Sequence, residues 1–232
     1  MVPLEGGTMP TALITGASAG LGRALAAALV SRQWTVVGDG RDAAALDSAA
    51  REIGFTAVSG DVADPAHRAA LAAVAGAELD LLVNNASSLG VSPLPPLARY
   101  PLAELENVYR VNVFAPLALT QLLLPALTAA RGIVIGISSD AAVEPYEGWG
   151  GYGSAKAALD QLTAVLGVEQ PDLAVYAVDP GDLRTAMHQR AFPGEDISDR
   201  PLPSSAVPAF LRLLDERPPS GRYRAADLLA AG

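Results

Sequence analysis

Six short apolar runs, each bounded by turn residues, alternate with helical stretches along this chain, and that alternation constrains its fold more than any other feature. The runs cover residues 11–15, 35–38, 56–59, 79–83, 132–137 and 173–178. They are mostly apolar throughout rather than at every second position, as expected of strands covered on both faces. Between them the spacing predicts helices over 20–32, 43–53, 65–75, 102–130 and 152–168, then a helix at 205–216 and a last strand at 222–225. This alternation predicts an α/β fold, a doubly wound parallel sheet with helices on both faces. Half of the 232 residues are hydrophobic and 18% are charged, which is enough apolar material for such a core and the reverse of a disordered composition.

Charge and composition remove several function classes. The formal net charge is −9, and an acidic surface repels phosphate backbones, so no nucleic-acid partner is expected. The chain has no cysteine, which excludes disulfides and thiol nucleophiles. His67 and His188 are too far apart to predict a metal cluster, and no metal is expected. No apolar run is read as reaching the length of a membrane span, and residues 1–9 lack a secretory pattern. A cytoplasmic protein with no membrane partner is therefore expected. His67 falls on a helix read as surface, with no role. Arg184 and His188 open the loop 185–204, where they either touch a substrate or stand exposed.

In a parallel sheet, ligands bind beyond the carboxyl ends of the strands. The first strand runs into Thr15-Gly16-Ala17-Ser18-Ala19-Gly20-Leu21-Gly22. Gly16 permits a sharp turn, Gly20 lets backbone approach a pyrophosphate, and Gly22 lets the next helix pack on the sheet. The helix start then offers unpaired N–H groups and a positive dipole end to the phosphates, with Ser18 and Leu21 inside the same turn. At the second strand, the register places Gly40 at the end and Arg41 next. A guanidinium there pairs with the 2′-phosphate of NADP. A shift of one residue places Asp39 at the ribose instead and favours NAD. NADP is the preferred cofactor and NAD the alternative.

The fifth strand ends in Ser138-Ser139, and Tyr152 and Lys156 follow on a helix, one turn apart on one face. A phenol titrates near pH ~10, and a nearby ammonium lowers that value. The spacing to Tyr152 favours Ser139 over Ser138 as the hydroxyl that holds a substrate oxygen. Tyr152 then gives a proton in reduction or takes one in oxidation, while the hydride chemistry belongs to the cofactor.

With the T-G-x-x-x-G-x-G turn and Ser139, Tyr152 and Lys156 at these separations, the chain resembles the short-chain dehydrogenase/reductase family. The resemblance implies further site residues. Asp61 and Val62 lie against the adenine. Asn85 and Ala86 lie beside the cofactor, in the element Asn84-Asn85-Ala86, with Ser87 where the family has glycine. Asn112 is the catalytic asparagine of a proton relay through the lysine. Pro180, Gly181 and Thr185 cover the nicotinamide, Thr185 either contacting the carboxamide or capping a helix. The resemblance also implies pairing of the long helices between subunits, in a homodimer or homotetramer.

The expected function is an oxidoreductase transferring a hydride between NADP(H) or NAD(H) and a small carbonyl compound or secondary alcohol. Residues 10–232 are read as a single dinucleotide-binding and catalytic domain behind a tail at 1–9. The substrate cleft is walled by 87–97, 141–151 and the loop after Thr185, where Tyr146 and Trp149 either line an apolar cleft or serve packing. A non-catalytic dinucleotide-binding regulator is the alternative; it would need the three glycines but not Asn112, Ser139, Tyr152 and Lys156.

Overall fold

The structure, a computed structural model, describes residues 9–230, so the tail expected at 1–9 lies, except for Met9, outside the described residues. Seven strands form one parallel sheet: β1 (Thr11–Ile14), β2 (Thr35–Gly40), β3 (Thr56–Ser59), β4 (Leu81–Asn84), β5 (Ile133–Ile137), β6 (Ala174–Asp179) and β7 (Gly221–Arg224). Their order is β3-β2-β1-β4-β5-β6-β7. The α-helices, numbered in chain order, are α1 (Gly20–Ser31), α2 (Ala43–Ile53), α3 (Pro65–Ala75), α4 (Leu102–Tyr109), α5 (Ala115–Ala130), α6 (Gly150–Glu169), α7 (Ala186–Ala191), α8 (Val207–Glu216) and α9 (Ala225–Ala230).

The alternation of side chains along each strand explains the continuous apolar runs. Leu13, Val37, Leu82, Val134 and Val175 point to one face, where they meet Leu71 of α3 and Leu119, Leu123 and Leu127 of α5. Ile14, Val36, Leu81, Val83, Ile135 and Tyr176 point to the other, against Leu25 and Leu29 of α1, Leu46 of α2 and Phe210 of α8. Neither face meets water, so both strand faces are apolar. Local signals set the helix ends. Asp42 and Asp64 cap α2 and α3 by accepting from the Ala45 and Ala66 amides, which satisfies otherwise orphaned N–H groups. Gly54 ends α2 at φ 96°, a left-handed conformation that suits glycine.

Most differences from the sequence reading lie at ends and short elements, with two exceptions in the long helix. The helix expected over 102–130 is continuous but carries a π-helical turn, Arg110–Phe114, between α4 and α5. One wide turn leaves the apolar period almost unchanged, so periodicity does not register it. α7 and α9, six residues each, are too short to show a period. The reading that no apolar run could span a membrane fails: 102–130 is long and apolar enough by length and composition. Here its α5 portion packs on the sheet through Leu119, Leu123 and Leu127, all at most 1% exposed.

Leu82 sits in the central strand β4 and is fully buried. Leu82→Ala is expected to lower the free energy of unfolding by about 2–5 kcal/mol with unchanged far-UV circular dichroism, measured by urea denaturation.

Candidate active site

The sheet order reverses between β1 and β4, and the loops leaving those strands diverge to opposite faces. A crevice opens at such a point. It is a cavity of about 620 Å³, walled by the carboxyl ends of β1, β4, β5 and β6.

The glycine turn forms one end. Gly16 and Gly20 adopt φ +70° and +57°, where a side chain is strained. At Gly22 a Cβ would lie 2.3 Å from the Gly16 carbonyl oxygen. The turn is clamped from both neighbouring strands. The Thr15 hydroxyl donates to the Val83 carbonyl and accepts from the Asn85 and Ala86 amides at 2.9 Å each. The Asn85 side-chain nitrogen donates to the Thr15 and Gly16 carbonyls at 2.8 and 3.2 Å. Helix α1 begins behind Ala19 with no side-chain cap, so its first N–H groups are left for an anion. A bare backbone cradle of this kind fits a dinucleotide pyrophosphate. Gly16, Gly20, Leu21, Asn85, Ala86, Pro180, Gly181 and Thr185 all line the cavity. A second lobe, lined by Ser18, Gly40, Arg41, Asp61 and Val62 among others, continues towards β2 and β3.

The structure resolves the register at β2. Gly40 is the last strand residue, and Arg41 stands exposed beside the second lobe. The Asp39 carboxylate faces inward. It accepts from the Gly16 amide at 2.6 Å and lies 3.1 Å from the His67 ring. His67 is therefore buried, at 7% exposure, which corrects its reading as a surface residue. Its helix packs on the sheet, and the ring reaches under the glycine turn.

Ser139, Tyr152 and Lys156 converge at the other end of the cavity. The Tyr152 ring is buried against Trp149, edge to face, with centroids 5.7 Å apart. Its phenol lies beside the hydroxyls of Ser139 and Ser87, which favour its charged form. The Ser138 hydroxyl is engaged elsewhere, donating to Asp160 at 2.8 Å, while Ser138 and Ser139 both line the cavity. Lys156 lies 5.4 Å from the Tyr152 ring centroid and donates to the Ile137 carbonyl at 2.6 Å.

The electrostatics differ from the sequence expectation. Burial pushes the Tyr152 phenol well above its ordinary value; Ser87 and Ser139 pull it down in part, and Asp140 and Asp179 push it further up. Burial also pushes the Lys156 ammonium down to about 8, with Asp160 acting against that. The idea that the ammonium makes the phenol more acidic is thus corrected. Both groups are buried, and desolvation is the largest influence on each, opposed by the serine hydroxyls at Tyr152 and by Asp160 at Lys156.

Asn112, 1% exposed, holds the loop after β4 rather than lining the cavity. Its oxygen accepts from the Ser88 amide at 2.7 Å and the Ser87 hydroxyl at 3.3 Å, and its nitrogen donates to the Ser88 carbonyl at 2.9 Å. Thr185 caps α7 by accepting from the His188 amide, and it also lines the cavity. Tyr146, Trp149 and His188 line the cavity as well, whereas Arg184 donates to the Ser198 carbonyl.

Two residues escaped the sequence reading. Ser87 links Asn112 to Tyr152; its only signal was a hydroxyl where the resemblance leads one to expect glycine. Arg222 of β7 donates to the Ser139 carbonyl and to Asp160, both at 3.0 Å. No local signal marks it, because β7 lies far along the chain from both partners.

Comparison with known proteins matches this geometry. A family model described as short chain dehydrogenase covers residues 10–196. Serine 3-dehydrogenase of Agrobacterium fabrum is 38% identical over 183 residues, 75% of this chain and 72% of that protein. Sepiapterin reductase of Mus musculus is 35% identical over 199 residues, 77% of this chain and 76% of that protein. Among solved structures, a short chain dehydrogenase from Pseudomonas syringae has a TM-score of 0.88 at 29% identity, covering 93% of this chain and 94% of that one. One from Shigella flexneri, solved in complex with NADP, has a TM-score of 0.85 at 30% identity, covering 94% and 97%.

The depressed lysine carries a stability signature. Between about pH 8 and 10.5 the unfolded chain holds a proton on Lys156 that the folded chain has released, so stability rises with pH across that window and this group's contribution is lowest below it. The raised Tyr152 value works in the opposite sense, and only above its ordinary pKa of 10.0. In urea unfolding, the stability of Lys156→Met relative to the parent is expected to fall by about 2 kcal/mol between about pH 7 and pH 10. A difference independent of pH would contradict the burial of a titrating ammonium.

Proposed function

The chain belongs to the short-chain dehydrogenase/reductase family, and on that premise we propose that it reduces a small neutral carbonyl compound with NADPH, Tyr152 acting as proton donor. The observation that carries this reading is the dry Tyr152 phenol, held by Ser139 and Ser87 in the same cavity as the uncapped glycine turn. A phenol is protonated at neutral pH at its ordinary value and when raised above it, so Tyr152 carries the proton that a reduction needs.

The coenzyme, when bound, supplies the hydride. The backbone of Gly16, Gly20 and Gly22, with Ser18 and Leu21, would hold its pyrophosphate. Asp61 and Val62 would flank the adenine, and Arg41 would meet the 2′-phosphate. Asn85, Ala86, Pro180, Gly181 and Thr185 would enclose the nicotinamide end. The NADP found in the Shigella flexneri relative supports the phosphorylated coenzyme, as does the exposed Arg41.

Ser139 holds the substrate oxygen, and Tyr152 delivers its proton to that oxygen as the carbonyl becomes an alcohol. Lys156, by pinning the end of β5 through the Ile137 carbonyl, keeps Ser139 facing Tyr152. Asn112 positions Ser87, which orients the phenol. Leu89, Trp149 and Phe192 supply apolar walls, while Asp140 and Asp182 line the same cleft and disfavour a substrate carboxylate.

Assayed against a panel of aldehydes and ketones by loss of NADPH absorbance, Tyr152→Phe is expected to lower kcat by about 10²–10⁴-fold with coenzyme affinity retained, and kcat/KM is expected to be higher with NADPH than with NADH. Undiminished turnover in the variant would overturn the mechanism.

The surface supports the reading of an assembly of like subunits. Phe114, Leu117 and Leu122 around α5, and Val165 and Val168 of α6, are exposed apolar side chains. Large apolar groups clustered on packed helices favour a self-complementary contact. Light scattering is expected to return the mass of a homodimer or homotetramer; a monomeric mass at micromolar concentration would refute this.

A further inference from the structure

Beneath the lobe assigned to the adenosine half of the coenzyme lies a buried acid–base pair that the proposed reaction does not use. The side chains of His67 and Asp39 are 6% and 2% exposed, with 3.1 Å between Nε2 and Oδ2. The other carboxylate oxygen accepts from the Gly16 amide at 2.6 Å, so this carboxylate anchors the glycine turn itself. The imidazole is wedged in place: a Cβ on Gly60, at the end of β3, would lie 2.2 Å from Nδ1. A carboxylate is thus locked one residue from Gly40 and two from Arg41, where a 2′-phosphate would approach, and the imidazole is the group able to neutralise it.

The other charges nearby do not take over that role. Asp61, after β3, acts on Asp39 with the same sign. Asp42 and Asp64 are engaged as helix caps. Arg68 of α3 turns to the Val62 carbonyl, and Arg41 is exposed. The glycine turn and α5, which packs on α3, carry no charged residue. Burial raises the Asp39 carboxyl, and the Gly16 amide and His67 oppose that rise.

We propose that Asp39 and His67 form a proton-dependent selector for the 2′-phosphate of the coenzyme. With the imidazole protonated the pair is neutral, and the phosphorylated dinucleotide is accepted beside Arg41. With the imidazole neutral, the uncompensated carboxylate repels the phosphate, while the dinucleotide lacking that phosphate is less affected. Neither residue need touch the coenzyme; they act through the local field and through the Gly16 amide, as positioning and specificity residues. This inference rests on the coenzyme reading above.

The test uses equilibrium binding, not turnover. NADPH and NADH are titrated by fluorescence into the full chain, its Asp39→Asn variant and its His67→Gln variant, at about pH 6 and about pH 8.5, either side of the usual histidine range. The quantity read is the ratio of Kd for NADPH to Kd for NADH in H67Q, divided by the same ratio in the parent, which cancels the nucleotide's own phosphate titration. This quotient is expected to be about five- to tenfold at the lower pH, where only the parent can neutralise the carboxylate, and to approach one at the higher. In D39N, whose amide oxygen can still accept from Gly16 while the carboxylate charge is gone, the ratio is expected to lie below the parent's at the higher pH. Binding of both nucleotides with quotients that do not move with pH overturns this inference alone. Binding of neither overturns the coenzyme reading and this inference with it.

Discussion

The clamp between Thr15 and Asn85 is what fixes the shape of the cavity. At the point where the sheet order reverses, the loops after β1 and β4 leave in different directions, and their backbone groups lose the strand partners that satisfied them. One hydroxyl and one carboxamide replace those partners: Thr15 serves Val83, Asn85 and Ala86, and Asn85 serves Thr15 and Gly16. Buried polar groups left unpaired are costly, so the turn has little freedom to open. Its tightness then dictates glycine at position 22, where any Cβ would collide with the Gly16 carbonyl. The first turn of α1 is consequently held bare at the cavity edge, with its N–H groups free for phosphate.

Dryness is the second constraint, and it acts on three groups at once. It raises Tyr152, raises Asp39 and lowers Lys156. In each case the charged form is disfavoured, and neighbouring hydrogen bonds only moderate the effect. The result at Tyr152 is a phenol that keeps its proton, flanked by two serine hydroxyls that orient it. The result at Asp39 is a carboxylate supported by the Gly16 amide and by one imidazole. Opposite ends of one cavity therefore share a design in which burial sets the protonation state and short-range contacts set the geometry.

The last strand closes the arrangement. Arg222 reaches from β7 to the Ser139 carbonyl and to Asp160, which also receives the Ser138 hydroxyl. The Ser138 hydroxyl is thereby committed to this ionic bracket. The ion pair is half-buried, and what it supplies here is the geometry it imposes.

How far the sequence reaches depends on the range of the interaction involved. Strand and helix alternation, the three glycines, and the Ser139, Tyr152 and Lys156 spacing are patterns within one element or between neighbouring ones, and the structure puts the glycines in the turn after β1 and the three side chains along one cavity. Backbone preference and side-chain period are local, so they are written locally. The inward turn of Asp39, the burial of His67, the Ser87 link between Asn112 and Tyr152 and the reach of Arg222 were decided only when distant segments packed together. So was the protonation of Tyr152, because desolvation depends on everything that covers a group, whereas sequence shows only the lysine one turn away.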